Sequence, residues 1–357
     1  MSLDAHRKRI DEIDAELVRL LNERTLQALE IGKLKTKKNA EIYVPVREKE
    51  VFDRITCHNE GPLPETSLRA IYREIMSASI SLERDLSVAY MGPAATFTHL
   101  AARSRFGSSV AYLPFSDVRE VFVAVEKKVA DYGVVPIENS TEGSVNPTLD
   151  ELINTPLKIY AEICLPISHH FMSGGSRQHV QRIYSHPQVF GQCKHWLAEH
   201  VPEAEQIPAA STARAAEHVV GENGSAAIAS ALAADLHGLT ILEKDIQDEA
   251  GNMTRFLVLS RSVGQVTGSD KTSVVFKVQH KVGALFHALS SFQTAQLNMT
   301  KIESRPSHLK AWEYWFFVDF EGHMEDERVA GALNELARHC DALTVLGSYP
   351  VAELVSF

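Results

Sequence analysis

Apolar residues recur with helical spacing from residue 4 to 36. Leu3, Ile10 and Leu17 fall seven apart, Ile13 and Leu20 lie between them, and Ala28, Ile31 and Leu34 extend the stripe. No proline interrupts this run and Gly32 is its only glycine. The spacing predicts one helix, roughly 50 Å long at ~1.5 Å per residue. Such a rod cannot bury its stripe on itself, so it needs partner helices. Two are predicted, one from Pro45 to about Cys57 and one from about Glu65 to Arg84, past the turn Asn59-Glu60-Gly61-Pro62. From Ser87 the pattern changes. Short β-like runs (SVAYMG, YGVVPIENS, KIYAEICLPI, RIYSHP, AAIAS, RFLVLS) alternate with helical stretches at 99–106, 117–129 and 211–219. That alternation predicts an α/β domain with a largely parallel sheet. After the Gly/Ser-rich linker SRSVGQVTGSD come strand 273–279, helix 283–294, strands 298–304 and 312–320, helix 326–340 and strand 343–348. This β-α-β-β-α-β order is the ferredoxin-like split βαβ. The expected fold is therefore multidomain: an all-α module (1–86), an α/β domain (87–264) and an α+β ferredoxin-like domain (270–357).

Composition narrows the function. The 357 residues are 45% hydrophobic and 23% charged, with 36 basic and 46 acidic side chains, a net charge of −10. Such a balance excludes a disordered chain and argues against a general phosphate-backbone binder, though not against local basic pockets for small anions. Cys57, Cys164, Cys193 and Cys340 lie far apart with no zinc-ligand spacing, as expected of reduced thiols. The charged start lacks a signal-peptide core, and no apolar run approaches the ~18 residues of a membrane span. The expectation is a cytoplasmic protein without nucleic-acid or membrane partners.

Arg24 and Lys35, eleven residues apart, share one helix face about three turns apart. Arg7 lies about 100° away in azimuth and roughly 25 Å along the axis from Arg24. If all three hold one ligand, Arg7 comes from a second copy, which predicts an intertwined dimer. The alternative is that long amphipathic helices simply carry solvated basic residues. The stretch LLNERTLQALEIGKLK, the run Pro45-Val46-Arg47-Glu48 and the closing IYREIMSASISLE, together with Arg7, resemble the all-helical chorismate mutase family. Its reaction is a pericyclic rearrangement of a dicarboxylate ether. It needs positive charge on the carboxylates and donors at the ether oxygen, with no nucleophile, metal or cofactor. The resemblance implies that Arg7, Arg24 and Arg47 bind carboxylates, that Lys35 and Glu83 donate to the ether oxygen, and that Glu48 holds a substrate hydroxyl. Ser79, four residues before Glu83, would present its hydroxyl on the same face. One position departs: Val44 stands where the family often has Asp. A carboxylate at Glu83 donates only when protonated. Burial would raise its pKa and the neighbouring cations would lower it.

In the α/β part, PIENSTEGSV (136–145), SHPQVFGQC (185–193) and NMTRFLVLS (252–260) place polar residues at strand ends, where such sheets bind ligands. YMGPAATFTHLAA (90–102) makes a hydroxyl-rich helix start. Each string singly is explained by caps and turns. Together, and in this order, IENS, SHPQ and TRF resemble the prephenate dehydratase family, whose fold is bilobal, like periplasmic binding proteins. The implied chemistry removes carbon dioxide and a ring hydroxyl. By that likeness Thr254 donates to the departing hydroxyl, with Asn139, Ser185 and Gln192 polarising it, and Thr96, Glu138, Ser140, Thr141 and Phe256 line the substrate site. Alternation on the strand puts Arg255 on the face opposite Thr254 and Phe256, so Arg255 either binds a carboxylate at the cleft mouth or braces the lobes. Glu217 is a further candidate neighbour. Ala95 replaces a family Gly; if φ is positive there, Ala costs about 1 kcal/mol, and a shifted loop is expected.

Finally, HKVGALFHALSSF (280–292) and KIESRPSH (301–308) resemble the ACT regulatory domain, which binds phenylalanine between paired subunits. The likeness implies an effector pocket of Gly283, Ala284, Leu285, Asn298, Glu303, Ser304, Arg305 and Pro306. WEYWFFVDF (312–320) reads as a buried central strand without a ligand role. The order of the three likenesses is that of bifunctional chorismate mutase–prephenate dehydratases. It implies the substrates chorismate and prephenate, the effector L-phenylalanine, and a homodimer or larger assembly. An arogenate-using dehydratase on the same fold and a non-catalytic amino-acid sensor are the alternatives.

Overall fold

The structure, a computed structural model, describes residues 2–37, 43–175, 180–249, 251–307 and 313–352, without the side chains of 36 and 37. It divides into two compact units: Met1–Ser87 with Arg105–Ala111, and Val88–Ser104 with Tyr112–Phe357.

The first unit contains α1 (Leu3–Lys37), α2 (Pro45–Cys57) and α3 (Glu65–Glu83), as the apolar spacing predicts. Pro45 opens α2 where its missing N–H costs nothing. The cap position is Val44, which supplies no side-chain bond where Asp could have. Helix α3 packs on α1 and α2. The stripe of α1 stays uncovered: Leu3, Ile10, Leu17, Ile31 and Leu34 are each at least half exposed.

The second unit begins with a sheet built from β1 (Ser87–Met91), β2 (Ala111–Phe115), β3 (Tyr132–Asn139), β4 (Gly143–Ser144) and β5 (Lys158–Pro166). Helices α4 (Phe97–Phe106), α5 (Val118–Glu126) and α6 (Asn146–Asn154) alternate with these strands. The chain then crosses into a second sheet of β6 (His170–Ser173), β7 (Arg182–Ser185), β8 (Glu205–Pro208), β9 (Ser225–Ala229) and β10 (Thr240–Glu243). Its helices are α7 (Pro187–Gln192), α8 (Lys194–His200), α9 (Thr212–His218) and α10 (Ala231–His237). Strand β11 (Met253–Ser260) returns to the first sheet, so two crossings join the lobes.

The expected largely parallel sheet is corrected here. Strand order is β2-β1-β3-β11-β5 in one lobe and β10-β6-β9-β7-β8 in the other. Parallel pairs (β1–β3, β7–β8, β7–β9) coexist with antiparallel ones. Because β11 comes back from the second lobe, it enters between β3 and β5 antiparallel to both. Hydrophobic runs reveal that a strand is buried but not its direction.

The last segment is β12 (Asp270–Lys277), α11 (Ala284–Thr294), β13 (Met299–Pro306), β14 (Tyr314–Glu321), α12 (Glu327–Arg338) and β15 (Ala342–Pro350). Its antiparallel order β13-β14-β12-β15 is that of the split βαβ. Strand β14 is central; Trp312 and His308 of the sequence strings lie outside the described residues. One face of this sheet carries Val274, Phe276, Val318 and Phe320 against its helices. The other face, Val275, Phe317, Leu346 and Tyr349, shares a core with Leu157, Ile159, Leu257 and Leu259 of the first lobe. Gly347 permits that approach, since a Cβ there would stand 2.2 Å from the Ile159 carbonyl oxygen. Among the described residues no helix is long and apolar enough to cross a membrane.

Candidate active sites

On α1 and α3, the one-turn spacing of Ser79 and Glu83 meets the face that carries Arg24 and Lys35. Arg24 Nη1 donates to Ser79 Oγ at 2.9 Å, and Ser79 in turn donates to the Ile75 carbonyl at 2.8 Å. Burial pushes the Glu83 carboxyl above its ordinary range, and Lys35 and Arg24 pull it back only in part. Of the two opposing effects visible in the sequence, burial is the larger. Glu83 Oε2 is buried without a hydrogen-bond partner among the described residues. Gly32 lets the carboxyl sit there, because a Cβ would lie 2.8 Å from Glu83 Cγ. In the sequence the only signal of this role is a lone glycine inside a long helix. Arg7 is exposed near Asp4 and Arg47 pairs with Glu50 at 2.7 Å, so neither joins this cluster within one chain. Glu48 is held by Tyr43, whose hydroxyl donates at 3.0 Å, and by Arg105 at 2.9 Å.

In the bilobal part, register pairs Thr254 with Asn139 and Arg255 with Glu138, with a bulge just after Arg255. Asn139 Nδ2 donates to both Thr254 Oγ1 and Asn252 Oδ1 at 2.8 Å. Its Oδ1 accepts from the Thr141 and Glu142 amides, which fixes which end of the side chain faces Thr254. A hydroxyl oxygen that accepts a bond becomes the better donor, and Thr254 Oγ1 is such an oxygen. Ser140 closes the same turn by accepting from Met253 N at 2.9 Å. Thr96 caps α4: its oxygen accepts from His99 N, and its hydroxyl faces the Met91 and Pro93 carbonyls.

Several expected site residues bond elsewhere. Ser185, wholly buried, donates to the Ile228 carbonyl at 2.8 Å, which ties β7 to β9, and no bond joins it to Thr254. Gln192 Oε1 lies 2.7 Å from His169 Nε2, which requires the proton on that nitrogen. Burial holds His169 below its ordinary pKa, hence neutral. Glu217 is an exposed partner of Arg214, and Phe256 is a core side chain at 1% exposure. Glu138 turns away from Asn139 toward Lys301, at 2.9 Å. Arg255 braces two domains: it meets Glu162 at 2.7 Å, Asp319 at 2.6 Å and the Tyr349 hydroxyl at 2.9 Å. Strand alternation sends Thr254 and Asn139 to one face and these charges to the other. Ala95 sits at φ +69°, the left-handed region in which Ala carries a backbone cost. Its methyl is wholly buried in the core cluster that also holds Met172, Ala213 and Ala229, and that burial offsets the backbone strain.

The expected effector set also divides. Gly283, at φ +78°, caps α11, Ala284 is buried, and Leu285 leans on the helix-side core. Ser304 and Pro306 share that face of β13 through their pairing with Phe316 and Tyr314. Glu303 and Arg305 point to the other face, where Ser144 donates to Glu303 at 2.6 Å and Arg305 clasps Asp150 at 2.7 and 2.9 Å. Asn298 donates to Glu321 at 2.9 Å.

Comparison with known proteins matches these parts in order: chorismate mutase type II over residues 6–84, prephenate dehydratase over 88–263 and the ACT domain over 272–338. A bifunctional chorismate mutase/prephenate dehydratase of Aquifex aeolicus is 50% identical over 353 residues, 98% of each chain. The chain belongs to the bifunctional chorismate mutase/prephenate dehydratase family. Two solved structures cover 74% of it with TM-scores of 0.69. One, 35% identical over 90% of its own chain, is the Arthrobacter aurescens prephenate dehydratase in complex with L-Phe. The other, 30% identical over 98% of its chain, is GqqA, described as a quorum-quenching acylase. Fold alone therefore does not dictate chemistry; the activity rests on the match over the whole length.

Gly32→Ala tests how closely Glu83 is placed. Alanine favours the helix by ~1 kcal/mol. The added Cβ displaces Glu83, and mutase kcat/KM is expected to fall roughly 10–100-fold. Steady-state kinetics with chorismate, beside a thermal melt, checks both halves.

Proposed function

We propose that the chain converts chorismate to prephenate in its helical module (1–86) and prephenate to phenylpyruvate in its bilobal domain (87–264), with L-phenylalanine acting through the ACT domain (270–357). The observation that carries this reading is the buried, partnerless Glu83 oxygen beside Arg24 and Lys35. Arg24, Arg47 and a second copy's Arg7 clamp the two carboxylates, while Lys35 and protonated Glu83 donate to the ether oxygen as its bond breaks. Charge developing there is met by donors already in place. Glu48 takes the substrate hydroxyl and Ser79 fixes Arg24.

In the second step the bond to the ring carboxylate breaks, its electron pair enters the ring, and the hydroxyl leaves as water with a proton passed through Thr254. Asn139 orients Thr254. Thr96, Ser140 and Thr141 shape the loops beside it. Gly283, Ala284, Leu285, Ser304 and Pro306 form the effector side of the ACT sheet. Glu303 and Arg305 carry its contact with the dehydratase. The exposed stripe of α1 supports a homodimer, since a lone copy would leave it in water. Widely spaced thiols without disulfides favour a reducing, cytoplasmic setting.

A chorismate-fed assay that follows prephenate and phenylpyruvate, with and without phenylalanine, tests the whole. Both products are expected, the second suppressed by phenylalanine; chorismate left unconsumed sinks the proposal. The mutase should also lose rate as pH rises through the raised Glu83 pKa, because the carboxylate cannot donate. In Glu83→Gln that decline should vanish, as an amide keeps its protons. Superimposable pH–rate profiles for the two proteins would refute the donor role.

A further inference from the structure

Arg105 lies beyond the mutase match, which ends at residue 84, and inside the dehydratase match. In space it belongs to the helical unit, with the rest of Arg105–Ala111. Three contacts seat this segment. Ser108 N donates to Glu74 at 2.9 Å, and Ser109 N donates to Ser77 Oγ at 3.1 Å. Gly107, at φ +72°, crosses α3 so tightly that a Cβ would stand 2.4 Å from Ser77 Cβ. The segment is thus built into the helical module, two residues along α3 from Ser79.

At its head, Arg105 Nη2 lies 2.9 Å from Glu48 Oε2, and the Tyr43 hydroxyl donates to the same oxygen at 3.0 Å. Arg105 Nε also donates to that hydroxyl, and its guanidinium lies over the Tyr43 ring, 5.7 Å from the centroid. The ring is buried against Phe106 at 4.9 Å. Glu48, Tyr43 and Arg105 therefore form a closed triangle with little freedom. Both anchors fall on Oε2. An ion pair that is mostly shielded from water and shares a third partner fixes geometry better than an exposed one.

We propose that Arg105 is a positioning residue of the mutase reaction: with Tyr43 it clamps Glu48 through Oε2 and thereby presents Oε1 to the substrate hydroxyl. This rests on the role given to Glu48 above. The mutase site is then completed by a residue that the isolated mutase sequence does not contain.

A double-mutant cycle on the full chain decides it, using Glu48→Gln, Arg105→Ala and both together, each assayed for mutase kcat and KM. Arg105→Ala should raise the KM for chorismate about tenfold with a smaller change in kcat, since the hydroxyl is bound in ground and transition states alike. Arg105→Lys should recover part of the loss. In the Glu48→Gln background, removing Arg105 should add nothing, because the group it positions is already altered. Additive losses, or a silent Arg105→Ala beside a damaging Glu48→Gln, overturn the positioning role. If Glu48→Gln itself leaves KM unchanged, the role of Glu48 fails, and this proposal fails with it. Circular dichroism monitors the helices, and Arg105→Gln carries the same cycle should the alanine variant lose helical signal.

Discussion

Thr254→Val is expected to abolish most dehydratase activity while chorismate is still consumed. Valine matches threonine in shape, so the strand and its packing persist and the hydroxyl alone is removed. A positioned proton donor contributes about 10²–10⁴-fold, and phenylpyruvate formation from prephenate should fall by that order. The bond from Asn139 Nδ2 at 2.8 Å is why the effect is assigned to acid catalysis rather than to binding. Asn139→Ala should lose less, because the hydroxyl remains but is no longer turned or polarised. Thr254→Ser should retain much of the rate. Continuous assay of phenylpyruvate with prephenate as the supplied substrate separates these cases. A valine variant keeping more than about a tenth of the wild-type rate would remove Thr254 from the chemistry.

Arg255→Met should cost about 3–5 kcal/mol of stability, the usual loss when one partner of a buried ion pair is removed. The guanidinium bridges Glu162 on β5 and Asp319 on β14, and the Glu162 side chain is only 1% exposed. Without Arg255, Glu162 keeps Lys271 at 2.9 Å, but among the described residues Asp319 retains only the Ser273 hydroxyl. At 2–4 °C per kcal/mol the melting temperature should drop by roughly 10 °C. Adding Asp319→Asn should return part of it, because the stranded charge is then gone. Thermal denaturation of the single and double variants checks the expectation. A single variant within about 1 kcal/mol of the wild type would mean that the network contributes little.

These two neighbours show where sequence reasoning stops. A period of two told that Thr254 and Arg255 face opposite ways, and it is borne out by their separate networks. It did not tell what lay opposite each. Asn139 is 115 positions from Thr254 in the chain and Asp319 is 64 from Arg255, and no local pattern encodes such pairings. The same gap explains Ser185 and Gln192. Their motif was legible, but their bonds to Ile228 and His169 depend on how β7 and α7 pack. The bulge after Arg255 likewise leaves no mark in the alternation. The ACT likeness groups Glu303 and Arg305 with Ser304 and Pro306, whereas the pleated strand sends the two pairs to opposite faces.

What the sequence determined by itself is local and periodic. The long α1, the helix starting at Pro45 and the β-α-β-β-α-β order all follow from the spacing of apolar residues and the placement of Pro and Gly. Its motifs also sufficed for the family. Only the tertiary structure decided the strand directions, the partners of each charged group, the raised pKa of Glu83 and the place of Arg105 beside Glu48. Each of these depends on distances between segments remote in the chain. Burial and Coulomb energies are set by such distances, and hydrophobic periodicity carries no record of them.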